Sequence, residues 1–339
     1  MDERSQALAA WARQQAGVAI GEWQMISGDA SFRRYFRLRD GERSWVAVDA
    51  PPERENAGHF VALAEALQQQ GLPTPRVHGR DFARGFLLLE DFGDTLLWNA
   101  LTPASVDALY GDAMALLLDW QRVGDLPLAL PRYEPARLQM EMELFPTWLL
   151  EQHLQRPFTA AEQQQYSEVM QRLLANAAEQ PFVLCHRDFH SRNLMLRADN
   201  ARPGLIDFQD AVWGPVTYDL VSLLRDCYVE WPAEHVTQWA LQYRDRLRAS
   251  GAFDLADAAH DDARWLRWFD WMGLQRHLKV LGIFARLYHR DGKRGYLKDL
   301  PLTLRYCVSV AQRYCELQPF AEWLQAEVGS RLDANGEVR

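Results

Sequence analysis

Cysteine is scarce in this chain: only Cys185, Cys227, Cys307 and Cys315 occur in 339 residues. Their spacing fits neither paired zinc ligands nor a Cys-x-x-Cys redox motif, so a structural zinc or dithiol chemistry is not expected. Long apolar runs are missing too. None approaches the roughly 20 residues needed to span a bilayer, so no membrane partner is expected. Positive charge is in deficit, with 37 Lys and Arg against 46 Asp and Glu and a net charge of −9. That balance argues against a nucleic-acid-binding surface and favours solubility. Residues 1–15 are charged and helical in pattern, unlike a secretory leader, which makes a reducing, cytoplasmic setting the expectation. Internal repeats and low-complexity linkers are absent. The length is sufficient for two lobes with cores of their own.

The chemistry is concentrated between Phe182 and Asp226. Phe182-Val183-Leu184-Cys185 reads as a buried strand that ends on His186-Arg187-Asp188. Asn193 opens a second short strand, Leu194-Met195-Leu196. Turn residues from Asn200 to Gly204 reverse the chain into Gly204-Leu205-Ile206, which ends on Asp207-Phe208-Gln209. The pattern His-Arg-Asp, four residues, then Asn is that of a kinase catalytic loop, and Asp-Phe-Gln stands where protein kinases carry the metal-binding Asp-Phe-Gly. The residue types suit the reaction. An acceptor hydroxyl needs a carboxylate in hydrogen-bond reach to take its proton. Magnesium takes carboxylate and amide oxygens together with substrate phosphates. Two simpler readings compete: His186-x-Asp188-x-His190 as metal ligands on a strand, and a loop merely pinned by polar side chains. The first leaves Asn193 and Asp207 unused, and the second leaves five matching positions unexplained.

Upstream, Ser5 to Gln15 reads as a helix with Leu8 and Trp11 on one face. Three strands follow, Trp23 to Ile26, Tyr35 to Arg39 and Trp45 to Asp49. The loop Ser27 to Arg34 joins the first two, where backbone amides can cover phosphates. A helix spans Glu53 to Gln70, ended by Gly71 and Pro73. Strands Arg76 to His78 and Phe86 to Leu89 lead into Glu90-Asp91-Phe92-Gly93, a hinge whose backbone can meet an adenine edge. From Thr102-Pro103, a helix start, the pattern is helical: to about Gln121, then Ala136 to Leu154, then Thr159 to Ala178 behind a capping box. Further helices are expected over Tyr218 to Val229, Ala233 to Ala249, Ala256 to about His289 and Leu300 to Leu317. The fold class is therefore α+β, with a β-rich lobe over residues 1–92, a mainly helical lobe over 93–330 and a free tail over 331–339.

These motifs resemble the aminoglycoside phosphotransferase and choline kinase superfamily, small-molecule relatives of protein kinases with the same two-lobed fold. Asp219 strengthens the resemblance, since Tyr218-Asp219-Leu220 fits the Asp these families carry at the start of the next helix. Only twelve positions separate Asp207 from Asp219, too few for a protein-kinase activation loop. Within the superfamily, residues 28–36, Val48-Asp49-Ala50-Pro51-Pro52 and Ile206-Asp207-Phe208-Gln209-Asp210 resemble the anomeric amino-sugar kinases of bacterial cell-wall recycling. That resemblance implies ATP- and Mg2+-dependent phosphorylation of the C1 hydroxyl of N-acetylmuramate or N-acetylglucosamine. It implies Asp188 as base and Asn193 and Asp207 as metal ligands, with His186 and Asp219 supporting the site. Nucleotide contacts would come from Ser31, Phe32, Arg33, Arg34, Glu90 and Phe92, and acceptor contacts from Gln209, Asp210 and Asp226. The partners implied are ATP and a small sugar.

One departure stands out. Kinases place a phosphate-binding Lys in the third strand, and here Val46-Ala47-Val48 runs into Asp49. Either Asp49 points away or it holds a cation, and Arg33 or Arg34 supplies the missing charge from the loop. Two other functions remain open at this point. A kinase for aminoglycosides or amino alcohols would need clustered carboxylates; Glu141 and Glu143 offer a pair, though a solvated helix face is the simpler reading of them. A pseudokinase would explain the absent Lys but not the survival of base and metal ligands together.

Overall fold

The structure is a computed structural model that describes residues 2–28, 32–197 and 202–339. In chain order the elements begin with α1 (Glu3–Ala16), β1 (Glu22–Gly28), β2 (Arg34–Asp40), β3 (Arg43–Asp49), α2 (Ala57–Gln69), β4 (Val77–Asp81) and β5 (Phe86–Glu90). Helices α3 (Leu97–Ala100), α4 (Val106–Gln121) and α5 (Pro135–Met142) come next, then a wide π-type helical stretch over Phe145–His153 and α6 (Ala160–Ala178). Short strands follow: β6 (Phe182–Cys185), β7 (Leu194–Met195), β8 (Gly204–Leu205) and β9 (Val212–Pro215). The chain closes with α7 (Tyr218–Leu224), α8 (Ala233–Ser250), α9 (Asp262–Asp291), α10 (Leu300–Ala311) and α11 (Gln318–Trp323). It separates into two compact units, one of residues 1–129 with 191–210 and the other of 130–190 with 211–339. Helices α3 and α4 and the β7–β8 hairpin thus group with the sheet.

In the first unit the sheet is antiparallel with strand order β1-β2-β3-β5-β4. Its alternation gives it two apolar faces, as the period of two requires. Phe36, Leu38, Ala47, Phe86 and Leu88 pack with Leu8 and Trp11 of α1 on one face. Val48, Leu87 and Leu89 pack with Ala57 and Val61 of α2 on the other. Asp2 caps α1 by accepting the Ser5 amide at 2.8 Å, and Gly17 ends it with φ +65°.

The second unit is built around α9, a helix of 30 residues buried on nearly every face from Trp268 to Leu281. A helix buried all round belongs at the centre of a core rather than on its surface. Gly282 lets it press against the segment before the π-type stretch: a Cβ there would lie 2.3 Å from the Leu144 carbonyl. The capping box at Thr159 and Glu162 is present.

Several expected boundaries shift for local reasons. The Thr102-Pro103 start forms a turn, closed by Ser105 N–H to Thr102 Oγ1 at 3.2 Å, and the helix begins at Val106. The single helix expected from Ala136 to Leu154 is two stretches, α5 and the π-type turns. Ala256–Ala259 is a 3-10 turn ahead of α9. Residues 331–339 are not free: Leu332 is buried and bridges to Val338, and the Gly336 carbonyl lies 2.8 Å from His153 Nε2. Nothing in the polarity of the tail announced a docking site on a histidine.

Candidate active site

In the first unit, a cavity of about 410 Å3 is bounded by Tyr35, Val46, Leu89, Phe92, Asn193 and Asp207, among others. Backbone pairing assembles its polar end. The β7–β8 ladder sets Leu194 opposite Leu205 and Met195 opposite Gly204, and the Ile206 amide donates to the Asn193 carbonyl at 3.1 Å. Asn193 and Asp207 are thereby brought to the same end of one hairpin. Asp207 has φ +64°, a left-handed conformation uncommon for a residue with a side chain and often found at functional sites. Its Oδ1 accepts from Gln209 Nε2 at 2.9 Å. The Gln209 carbonyl lies 3.1 Å from His59 Nε2, and Phe208 stacks on Phe60 at 5.0 Å, so α2 fixes the segment after Asp207. The apolar end of the cavity is set by Phe92, whose ring lies where a Cβ on Gly204 would sit, at 2.5 Å. Only glycine fits there.

The hinge strand is clamped by Arg37. Its guanidinium donates to both Asp91 oxygens at 2.6 and 2.9 Å and to the Gly93 carbonyl at 2.9 Å. Burial alone would raise the Asp91 pKa, but Arg37 and the Gly93 amide outweigh it and hold the carboxyl below its usual range. Glu90 accepts from the Arg76 amide at 3.2 Å.

Asp49 resolves the third-strand question. It lies opposite Arg34 in the β2–β3 register, on the face covered by α1, and is 1 % exposed. Arg34 donates to it at 2.6 and 3.0 Å, and Arg4 of α1 at 2.7 Å. Asp49 therefore points away from the cavity and also holds cations. The same contacts, with a further pair to Asp2, place Arg34 on the α1 face, away from the nucleotide position expected of it. Arg33 takes the other direction, as adjacent residues on extended chain must. It pairs with Glu55 at 3.2 Å and lines a second cavity with His59, Gln209 and Asp210. Burial works against its charge, yet Tyr35, Glu55, Asp207 and Asp210 hold it protonated. Phe32 is exposed beneath the Arg54 guanidinium, and Ser31 lies outside the described residues.

In the second unit, β6 pairs with β9, a strand the sequence reading missed, and delivers the His186-Arg187-Asp188 loop. Asp219, fully buried at the start of α7, accepts the His186 amide at 2.6 Å and the Arg187 amide at 2.9 Å. Burial is the main influence on its carboxyl and pushes the pKa up to about 7 against those two hydrogen bonds. Arg187 is left-handed, with φ +77°. His186 is buried and packs edge-on to Phe189. Asp188 follows, its side chain 46 % exposed and 3.9 Å from the Arg276 guanidinium. Desolvation opposes its charge, but Lys279, His190, Arg276 and Arg187 together hold its pKa down at about 2. Asp226, 1 % exposed, accepts the Tyr228 amide at 3.1 Å.

Arg276 and Lys279 were not singled out in the sequence. The available signal was the pair of cations, three positions apart, beside the apolar positions Leu274, Leu278 and Leu281 of one helix. Arg276 is buried, with its Nε making no hydrogen bond and one Nη 3.7 Å from Cys227 Sγ. Lys279 contacts the Tyr218 hydroxyl at 3.1 Å and Glu141 at 3.2 Å. Glu141 also pairs with Arg187 at 2.6 Å and accepts from the Tyr133 hydroxyl. It is not on a solvated helix face but is buried, its charge met by two cations. The rival His-x-Asp-x-His metal site has no support: among the described residues no three His, Cys, Asp or Glu side chains converge on one point.

The expected set is thus divided between the units. Asn193, Asp207, Gln209, Asp210, Arg33, Glu90 and Phe92 belong to the first, and His186, Asp188, Asp219 and Asp226 to the second. Five positions of sequence join Asp188 to Asn193.

Comparison with known proteins bears on this arrangement. N-acetylmuramate/N-acetylglucosamine kinase of Pseudomonas putida is 40 % identical, over 97 % of this chain and 98 % of its own. The protein of the same name from Pseudomonas aeruginosa is 42 % identical over 88 % and 86 %. An ADP-bound aminoglycoside phosphotransferase, APH(2'')-Ib, shares the fold with a TM-score of 0.59 at 16 % identity, over 89 % of this chain and 98 % of its own. The profile of the phosphotransferase enzyme family, APH, matches residues 22–256. With that match over most of its length, and relatives similar over most of both chains, this chain belongs to the APH phosphotransferase family.

Proposed function

We propose that the protein transfers the γ-phosphoryl group of ATP to the anomeric hydroxyl of N-acetylmuramate or N-acetylglucosamine, in the cytoplasm and as a step of peptidoglycan recycling. The observation that carries this reading is the 40 % identity, along nearly the whole of both chains, to a relative bearing that name. In this reading Asp188 orients the C1 hydroxyl and takes its proton. Its low pKa makes it a weak base, suited to a transfer in which the proton moves late, as the loose transition state of phosphoryl transfer allows. Phe92 and the Glu90 backbone receive the adenine, and Arg33 supplies the phosphate charge that the third strand lacks. Gln209, Asp210 and Asp226 face the acceptor, with Phe32 and the loop residue Ser31 over the donor. Arg34 has no part in it.

Magnesium fits the residues present. An amide oxygen on Asn193 and a carboxylate on Asp207, at one end of a hairpin, are hard oxygen donors of the kind that leave further positions to phosphate and water. The metal would neutralise the donor phosphates. Glu141, one of the two carboxylates that a cationic acceptor would call on, already carries two cations, which argues against such an acceptor.

The test is ATP consumption with N-acetylmuramate, N-acetylglucosamine, their methyl glycosides, choline and an aminoglycoside, with products read by phosphorus NMR. Product is expected at C1 of the free sugars and at no position of the glycosides. Asp188→Asn should lower turnover by about 10²–10⁴-fold, the usual range for loss of a general base. Phosphorylation of a methyl glycoside, or preference for choline or the aminoglycoside, would overturn the proposal.

A further inference from the structure

Arg276 lies on α9, the buried central helix of the second unit, and is only 3 % exposed. Burying a guanidinium is costly unless its donors find acceptors. The charge is kept all the same: burial opposes it, but Cys227, Tyr218, Asp188 and Asp226 around it outweigh burial. The donors are poorly served. Among the described residues the guanidinium has one hydrogen-bond contact, to Cys227 Sγ at 3.7 Å, and Nε has none. Sulfur is a weak acceptor, so one poor contact answers five N–H donors. Nη2 lies 3.9 Å from Asp188 Oδ1, drawn by its charge but beyond hydrogen-bond reach. We propose that Arg276 is an acceptor-binding residue: its Nη2 donates to the oxygen of the reacting hydroxyl while Asp188 takes that hydroxyl's proton. This rests on the phosphotransfer reading above, in which Asp188 is the base.

The chemistry of the two side chains selects the partner. Ionised Asp188 only accepts hydrogen bonds, and Arg276 only donates them. A hydroxyl does both, so a single oxygen serves the two together. Hydrogen bonds of about 2.7–3.0 Å from one oxygen reach both atoms across a separation of 3.9 Å. That oxygen keeps its second lone pair for phosphorus. As the O–P bond forms, the bond from the γ-phosphorus to the β–γ bridging oxygen breaks, the proton passes to Asp188 and ADP leaves. A carboxylate suits the position less well, because Asp188 and Asp226 would both repel it. The lactyl carboxylate of N-acetylmuramate is therefore not the group that Arg276 meets.

Position supports the same role. The Arg276 side chain is 4 % exposed and that of Asp188 is 46 % exposed, so a fixed donor stands behind an accessible base. Packing on a helix of 30 residues orders the guanidinium before any acceptor arrives, and little side-chain entropy is lost on binding.

The experiment compares wild type, Arg276→Met and Arg276→Lys at pH 8, far above the ordinary carboxylate range, where a change in the Asp188 pKa does not reach the rate. In Arg276→Met, kcat/KM should fall by about 10–100-fold, the scale of one charge-assisted hydrogen bond. The fall should be equal for N-acetylmuramate and N-acetylglucosamine, with KM for ATP unchanged within twofold. Calorimetry with magnesium and a non-hydrolysable ATP analogue then measures binding of N-acetylglucosamine and of its 1-deoxy analogue, which lacks the reacting hydroxyl. Wild type should prefer the hydroxyl at least tenfold, and in Arg276→Met that preference should shrink at least fivefold. Arg276→Lys keeps the buried charge but not the planar fork, and carries the same comparison if Arg276→Met does not fold. An unchanged preference in the folded variant, or an unchanged kcat/KM, would overturn the proposal. So would a loss confined to N-acetylmuramate, which would point to its carboxylate. No product from either sugar in wild type would overturn the phosphotransfer reading itself, and this assignment with it.

Discussion

Glu141→Gln is the most discriminating perturbation of the support behind the His186-Arg187-Asp188 loop. The substitution keeps the shape and the hydrogen bond from Tyr133 but removes the charge that Arg187 at 2.6 Å and Lys279 at 3.2 Å share. Those side chains are 14 % and 7 % exposed, and that of Glu141 is 11 % exposed, so water does little to replace the lost partner. Breaking a buried ion pair from one side costs about 3–5 kcal/mol, because the remaining charge stays desolvated. An exposed pair such as Arg80 with Glu65, 49 % and 43 % exposed, contributes about 0–1 kcal/mol. The assay is urea unfolding of wild type, Glu141→Gln and the control Glu65→Gln. Glu141→Gln should lose about 3–5 kcal/mol and the control less than about 1 kcal/mol. The pH dependence supplies a second check. Burial opposes ionisation of Glu141, but Lys279, Arg187 and Tyr133 hold its pKa below the ordinary 4.5. A depressed pKa gives stability that is present above 4.5 and lost as pH falls through the folded value. The gap between wild type and variant should therefore stay constant from neutral pH to about 5 and narrow below 4.5. A loss under about 1 kcal/mol, or a gap that does not depend on pH, would refute the buried-pair argument.

Two further outcomes follow from the site. Asp188 is held ionised down to about pH 2, so kcat/KM should show no acid limb from this residue between pH 5 and 8. In Arg276→Met, which removes one of the cations beside it, any acid limb should move upward, and an unchanged pH profile would free Asp188 of that influence. Arg33→Ala should weaken ATP far more than AMP, by about 10–100-fold, on the scale of one charge-assisted hydrogen bond of about 1.5–3 kcal/mol. Arg34→Ala should leave ATP affinity intact and lower thermal stability instead, and equal loss of ATP affinity in both variants would contradict the division of the two arginines between faces.

The local elements were legible because local rules govern them. Strand alternation, the capping box at Thr159 and the pattern His186-Arg187-Asp188 with Asn193 and Asp207 are all set by nearest neighbours in sequence. The pairing of β6 with β9 was not legible, since Val212–Pro215 carries Gly and Pro and reads as loop; only a partner 30 positions away makes it a strand. The same holds for Asp49. Its sequence position marks a missing Lys, but which way it points depends on the register of β2 and β3 and on Arg4 arriving from α1. Arg33 and Arg34 are equivalent in sequence and opposite in space for the same reason. The tail shows this most simply: a nine-residue end rich in polar side chains predicts a free tail, and a histidine more than 180 positions away holds it in place. The reaction class was legible from residue order alone, because the donors for base and metal must sit at fixed short spacings on one loop and one hairpin. Which charges surround that loop emerged only in the folded chain, because Arg276, Lys279 and Glu141 gain their meaning from burial and from partners far away in the chain.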